Sequence, residues 1–422
     1  MKMTDGWPEV CIADICETIT DCLNRTASTV DTVTPYKMIR TTNVRDGWID
    51  LENVKYVNQD IYKKWTRRQV PLKGDVILTR EAPLGEVGML RTNDKVFLGQ
   101  RLVSYRANEA KADSRFLLYA MQEKHLQSQI RAFGSGATVE HMRVPDAKKL
   151  LVRLPPLPTQ RRIASILSAY DDLIENNTRR IAILEEMARR LYEEWFVRFR
   201  FPGHEDAIFR DTELGRVPEG WEVVRLDQAV YFNPRTKVPK EGEKLFVPMA
   251  ALSETGMVIE PLETKPGNSG SKFRNGDTLL ARITPCLENG KTGFVNFLPG
   301  DQPSACGSTE FVVLRSRTLC PEMVYIIART ARFRDVAIKS MSGASGRQRV
   351  RTETLEGLHI VQPDGLTLER FRRFAEPCFQ QIRRLADKNA NLRAQRDLLL
   401  PKLVSGEIDV SAAEEKLREA AE

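Results

Sequence analysis

Two sets of side chains in this 422-residue sequence are of the types that hydrogen-bond the bases or phosphates of nucleic acid. In the first half they are Arg40-Thr41-Thr42-Asn43, Lys63, Lys64, Arg67, Arg68, Arg80, Arg131, Ser135, Thr138, His141 and Arg143. In the second half they are Arg235, Lys237, Arg282, Thr284, Lys291, Thr292, Arg347, Gln348, Arg349 and Arg351. Most fall in turn- or loop-like stretches between strand-like runs. Arg together with Asn or Gln has the fork geometry to read guanine or adenine edges. Lys, Ser, Thr and Gly-rich backbone hold phosphates. Taken singly, each such residue is ordinary solvated surface; the clustering carries the signal.

Catalytic patterns fail on inspection. Gly290-Lys291-Thr292 ends like a phosphate loop, but that loop needs glycine at position 285, where Pro285 stands. Gly134-Ser135-Gly136-Ala137-Thr138-Val139 starts like a dinucleotide fingerprint but lacks its third glycine. Asn233-Pro234-Arg235 is not the Asn/Asp-Pro-Pro-aromatic motif of amino-methyltransferases. There is no HExxH and no GxSxG. The seven cysteines form no CxxC pair, and four scattered histidines suggest no zinc site, so no metal is expected. They read as small buried hydrophobes in a reducing cytoplasm. No apolar run is long enough for a membrane span, and the first twenty residues lack an export signal. The balance of 64 Lys+Arg against 57 Asp+Glu, net +7, permits phosphate binding without establishing it.

The elements that position these residues are repeated. Gly6-Trp7-Pro8-Glu9-Val10 is echoed by Gly220-Trp221-Glu222-Val223-Val224. Lys73-Gly74-Asp75 before a strand closing on Arg80 is echoed by Asn275-Gly276-Asp277 before one closing on Arg282. Leu98-Gly99-Gln100 parallels Cys306-Gly307-Ser308, and the Gly/Ser stretch 133–138 stands opposite 341–346. Pro155 to Ile163 aligns without a gap with Pro363 to Phe371. Each half thus runs from an α/β region into a long helix, with Thr159 and Thr367 expected as N-caps.

Those helices carry seams at three- and four-residue steps. The first is Ile163, Ile166, Tyr170, Leu173, Asn177, Ile181, Leu184, Met187, Leu191 and Trp195. The second is Phe371, Phe374, Cys378, Ile382, Leu385, Asn389, Leu392, Arg396, Leu399 and Leu403. Helices of about 40 residues, roughly 60 Å each, would leave such stripes bare unless they covered one another. Asn177 and Asn389 fall at corresponding seam places and are expected to fix register if they pair. Antiparallel pairing would put the two modules at opposite ends of a coiled coil with an approximate two-fold axis. Such a molecule can present one face of each module to two separated, unlike half-sites on a duplex. A scaffold built on the same helices is the competing reading.

Within this frame the sequence resembles the specificity subunits of type I restriction–modification systems. Leu154 to Ile163 and Ile166 to Ile174 look like that family's central helix, and Glu194 to His204 continues the likeness. Tyr36 to Gly47 resembles a first target-recognition domain and Ala281 to Lys291 a second. The resemblance implies an α+β protein with two tandem α/β target-recognition domains, residues 1–157 and 203–365. The long helices would be 158–202 and 366–407, forming an antiparallel coiled coil with internal pseudo-two-fold symmetry, and 408–422 a tail, in which Ser411 to Glu422 either extend the last helix or fray. It implies a non-catalytic reader of double-stranded DNA, assembled with two modification (methyltransferase) subunits and with restriction (endonuclease/translocase) subunits. S-adenosylmethionine, ATP and Mg would bind those partners, leaving no cofactor in this chain. The second helix opening, Pro363-Asp364-Gly365-Leu366-Thr367, departs from the pattern of the first in lacking its double proline and the counterpart of Gln160.

Overall fold

A computed structural model describes residues 7–134, 140–344 and 346–410. The chain is α+β and divides into two compact units, residues 1–174 with 391–422, and residues 175–390.

In the first unit an antiparallel sheet runs, in spatial order, Cys16–Asp21, Leu102–Ala107, Val76–Arg80 and Leu84–Met89. A smaller sheet of Lys55–Tyr56, Tyr36–Ile39 and Lys95–Leu98 holds one parallel pair. Helices Ser114–Gln122 and Lys124–Phe133 cover the larger sheet, burying Phe116, Leu117, Tyr119 and Ile130 with Val76, Leu78 and Val103. A two-stranded pair, Glu9–Cys11 with Leu151–Arg153, brings the ends of the module together.

The second unit repeats this order. Its larger sheet runs Val230–Phe232, Phe311–Ser316, Thr278–Ala281 and Thr292–Phe294. Its smaller sheet pairs Glu243–Val247 in parallel with Ser304–Gly307. Helices Pro321–Arg329 and Ala331–Lys339 cover the larger sheet, and Glu222–Arg225 pairs with His359–Gln362.

The Gly-Asp turns have one cause in both units. Gly74 and Gly276 sit at φ +96° and +87°, where a side chain is strained. Asp75 and Asp277, both buried, then accept from the backbone N–H groups of Leu72 and Arg274 at 2.9 and 2.8 Å. Each carboxylate is also gripped by a two-pronged arginine, Arg106 at 2.8 and 2.8 Å and Arg315 at 2.7 and 2.7 Å.

The long helices are Leu157–Tyr192, continued by a π turn Glu193–Val197, and Gly365–Ser405. Both units contain a stretch of each, and in both the stretches run antiparallel. In the first, Arg396 Nη1 donates to Asp171 Oδ1 at 2.7 Å, while Ile163 and Leu167 share a core with Leu403 and Val404. In the second, Asn177 Nδ2 donates to Asn389 Oδ1 at 2.9 Å, and Phe196 meets Phe371 edge-on at 5.1 Å.

Several sequence expectations need correction. The buried stripe of the first helix passes through Ile163, Leu167, Asp171, Ile174, Asn177 and Ala188. Ile166, Leu173, Met187 and, on the second helix, Phe374 face solvent. A 3.6-residue period combined with packing on the module's own sheet moves the stripe one residue from the counted seam at those four places, while Ile163, Asn177, Phe371, Cys378, Leu385, Asn389 and Leu403 are buried as counted. Of the other seam residues, Ile382 is buried, and Tyr170, Leu184, Leu191 and Leu399 are half-buried. Thr367 is not the N-cap: the Asp364 carboxylate accepts from its backbone N–H at 2.9 Å and from its hydroxyl at 2.7 Å. Thr159 lies inside the first turn of its helix, which opens at Leu157. Asn177 and Asn389 pair, but not at corresponding places. The gapless alignment gives Asn177 the counterpart Leu385, and Asn389 the counterpart Ile181. All seven cysteines are free thiols, and no described helix is long and apolar enough to cross a membrane.

Candidate nucleic-acid interface

In the second unit, the coil after Val230–Phe232 and the smaller sheet enclose an open groove of about 1430 Å³. That exceeds the few hundred to about 1,000 Å³ of a small-molecule pocket. Five cationic side chains line it, Arg235, Lys237, Lys244, Lys272 and Arg282, against the carboxylates Glu241, Glu243 and Asp301. Lys244 is tied inward, its Nζ donating to the Glu241 and Gly242 carbonyls at 2.5 and 2.8 Å. The groove therefore brings together Arg235, Lys237 and Arg282 from the sequence reading. Lys272 was missed; a lone lysine on a short strand has no signal that separates it from ordinary surface.

Beside the groove, the strand end after Thr278–Ala281 is crossed by the loop of residues 346–351. Thr284 and Gln348 hold each other there: Thr284 N–H donates to the Gln348 carbonyl at 3.0 Å, and Gln348 N–H to Thr284 Oγ1 at 3.2 Å. Arg349 makes a two-pronged bond to Glu310, at 2.6 Å and 2.9 Å, and that hydrogen bonding holds the Glu310 carboxyl below its ordinary range. Arg282 is 4.0 Å from the same carboxylate. Two arginines thus face one glutamate, leaving positive charge for an anion. Arg347 is exposed on the loop. Arg351 donates to Ser342 Oγ at 3.1 Å. Lys291 does not line the groove; its Nζ lies 3.4 Å from the Met249 carbonyl. Thr292 is buried in the sheet.

In the first unit the cationic residues sit on an inserted helix, Gln59–Trp65, capped by Asn58, whose Oδ1 accepts from Ile61 N–H at 2.9 Å. Lys63 and Lys64 are exposed in its last turn, with Lys64 Nζ 5.6 Å from the Trp65 ring centre. Arg67 is exposed, and Arg68 pairs with Asp21 at 2.5 Å. The helix rests on Tyr62 and Trp65, which pack against Phe97.

Asn43 is buried and its amide is spent on structure. Its Oδ1 accepts from Arg40 N–H at 2.9 Å and its Nδ2 donates to the Asn53 carbonyl at 3.0 Å. It closes the turn Thr41–Asn43 on which Thr42 is exposed, with Arg40 and Thr41 half-buried. Arg80 is half-buried, donating from Nη1 to the Met142 carbonyl at 2.9 Å beside His141. Arg143 is exposed and pairs with Asp146 at 2.8 Å, and Arg131 is exposed at the end of its helix. Ser135 and Thr138 lie outside the described residues.

Comparison with known proteins gives a consistent answer. A family model for the type I restriction modification DNA specificity domain matches residues 4–186. The chain is 25% identical to the type I restriction enzyme MjaIX specificity subunit of Methanocaldococcus jannaschii, across 86% of this chain and 87% of that one. It is 22% identical to the type I restriction enzyme HindI specificity subunit of Haemophilus influenzae, across 80% and 87%. Among solved structures, the type I restriction-modification system S subunit from M. genitalium shares the fold. Its TM-score is 0.54 at 13% identity, over 96% of this chain and 98% of that one.

Proposed function

We propose that this chain, which belongs with the non-catalytic, DNA-recognition specificity subunits of type I restriction–modification systems, reads a bipartite and asymmetric duplex target. In this reading residues 1–157 and 203–365 are the two target-recognition domains, one for each half-site. Residues 158–202 carry the long helix between them in sequence, 366–407 carry the one that follows the second domain, and 408–422 are a tail. The observation that carries the reading is one topology built twice, with unlike insertions and different cationic residues on each copy. A protein that read one repeated half-site would have no use for that difference.

The partners of the reading are two modification subunits and the restriction subunits of the same system. S-adenosylmethionine, ATP and Mg act on those subunits, and the complex works in the cytoplasm.

Duplex binding by the chain assembled with its modification subunits, measured across a salt series, tests this. Neutralising phosphates releases counterions, so affinity should fall by orders of magnitude between about 50 and 200 mM salt. A scaffold built on the helix pair would bind partners without duplex affinity or salt dependence, and that result sinks the reading.

A further inference from the structure

The internal repeat offers a filter for the cationic residues, because paired strands define counterparts between the modules. Strand register supplies the matches. Phe232 lies opposite Leu314 as Ile19 lies opposite Tyr105, but the coils that follow differ in length, so register assigns Arg235 and Lys237 no counterpart. Val247 and Ile39 occupy the same place on the parallel pair, which gives Lys244 the counterpart Tyr36. Arg274 and Leu72 each donate to the aspartate of the Gly-Asp turn, which gives Lys272 the counterpart Val70. Of the three groove cations that register matches, Arg282 alone meets a cation, Arg80.

The backbone places those two arginines identically. Arg80 N–H donates to the Arg101 carbonyl at 2.8 Å and Arg282 N–H to the Glu310 carbonyl at 2.9 Å. Their own carbonyls accept from Met142 at 3.0 Å and Val350 at 2.9 Å. Each stands beside the crossing loop, bridged at Glu81 to His141 and at Ile283 to Arg349. Neither charge is fully matched. Among the described residues Arg80 bonds the Met142 carbonyl and no carboxylate, and Arg282 shares Glu310 with the more tightly bound Arg349.

Two modules that read unlike half-sites cannot use an identical residue at an identical place to tell those sites apart. Such a residue serves what both sites possess. We infer that Arg80 and Arg282 each contact the phosphate backbone of duplex DNA, fixing the approach of their module. Arg235, Lys237 and Lys272 then serve the second half-site alone. The inference rests on the DNA-recognition reading and adds a division of labour to it.

The test uses the full-length chain assembled with its modification subunits, binding its target duplex and an unrelated duplex across a salt series. Arg80→Ala and Arg282→Ala are each expected to weaken both duplexes by the same factor. Each should also reduce the slope of log affinity against log salt by about 0.9, one phosphate contact. Arg282→Lys, which keeps the charge, should keep the slope. Arg235→Ala and Lys272→Ala should weaken the target more than the unrelated duplex, and only through mismatches in one half-site.

Several results overturn the inference. One is a changed base preference in Arg80→Ala or Arg282→Ala, which would mark a base contact. Another is a lowered melting temperature with the slope unchanged, which would mark a purely structural clasp on the crossing loop. If the unsubstituted complex binds no duplex, the functional reading itself fails and takes this one with it. Wild-type binding with unaltered variant slopes removes only the inference.

Discussion

In the first unit the space between Lys55–Tyr56 and the Gly-Asp turn is filled by a helix, Gln59–Trp65, that presents Lys63 and Lys64. In the second unit Glu263–Pro266 takes the place of Lys55–Tyr56, the stretch after it forms a strand, Ser271–Arg274, and the cations face a groove instead. Beneath both, the larger sheet keeps one strand order, and a buried aspartate takes a two-pronged bond from an arginine. The contrast teaches where divergence is tolerated. The turn, the buried ion pair and the covering helices determine whether a module folds, while the insertion only has to rest on it.

The comparison breaks most visibly at the shared ion pair. Removing one partner leaves a buried charge uncompensated, which costs about 3–5 kcal/mol. Asp277→Asn should approach that range, because Arg315 is only 12% exposed. Asp75→Asn should cost less, since Arg106 is 21% exposed and water can solvate it. Hydrogen exchange should show each loss of protection confined to its own unit. Equal losses, or losses spread over both units, would mean the modules are not independent copies.

A smaller effect is expected where the repeat is broken. The Asn177–Asn389 pair is buried, and Asn389 also donates to Thr178 Oγ1 at 3.2 Å. Its counterparts are the apolar Leu385 and Ile181. Asn389→Leu would strand the Asn177 amide at a cost of about 1–3 kcal/mol. Adding Asn177→Ile should recover that stability, and a double-mutant cycle in denaturant measures the coupling. Additive losses would show that the two amides do not depend on each other.

The smallest effect is a pH dependence peculiar to the second unit. Burial pushes the Glu185 carboxyl above the ordinary glutamate range, although Tyr325 donates to it at 2.9 Å and Arg329 is near. A carboxyl whose folded pKa is raised holds its proton more tightly when folded. Its stabilisation is complete below the unfolded pKa and is lost as pH rises through the raised one. Glu185→Gln keeps the Tyr325 contact without the charge, so its melting temperature should gain on the wild type as pH climbs through that window. A difference that stays constant with pH contradicts the assignment.

Much of this was legible in the sequence for identifiable reasons. The Gly-Asp turns showed because only glycine suits their backbone and only a short acceptor reaches back to the turn. The helix stripe showed through its period, but Ile166 and Leu167 are adjacent and apolar, and counting alone could not choose between them. Asn43 looked like a base reader because its two partners, the Arg40 amide and the Asn53 carbonyl, are backbone groups that any residue supplies. Lys272 was invisible because its significance lies in facing Arg235 and Arg282 across a groove, a relation between segments far apart in the chain.

The most direct test of two unlike readers is a map of methylated sites after co-expressing the chain with a modification subunit in a host free of other methylation. The account predicts adenine methylation at one bipartite motif. Exchanging residues 203–365 for the corresponding segment of a relative should change one half of that motif and leave the other. Methylation lost from neither half, or redirected in both at once, would contradict the assignment of one half-site to each module.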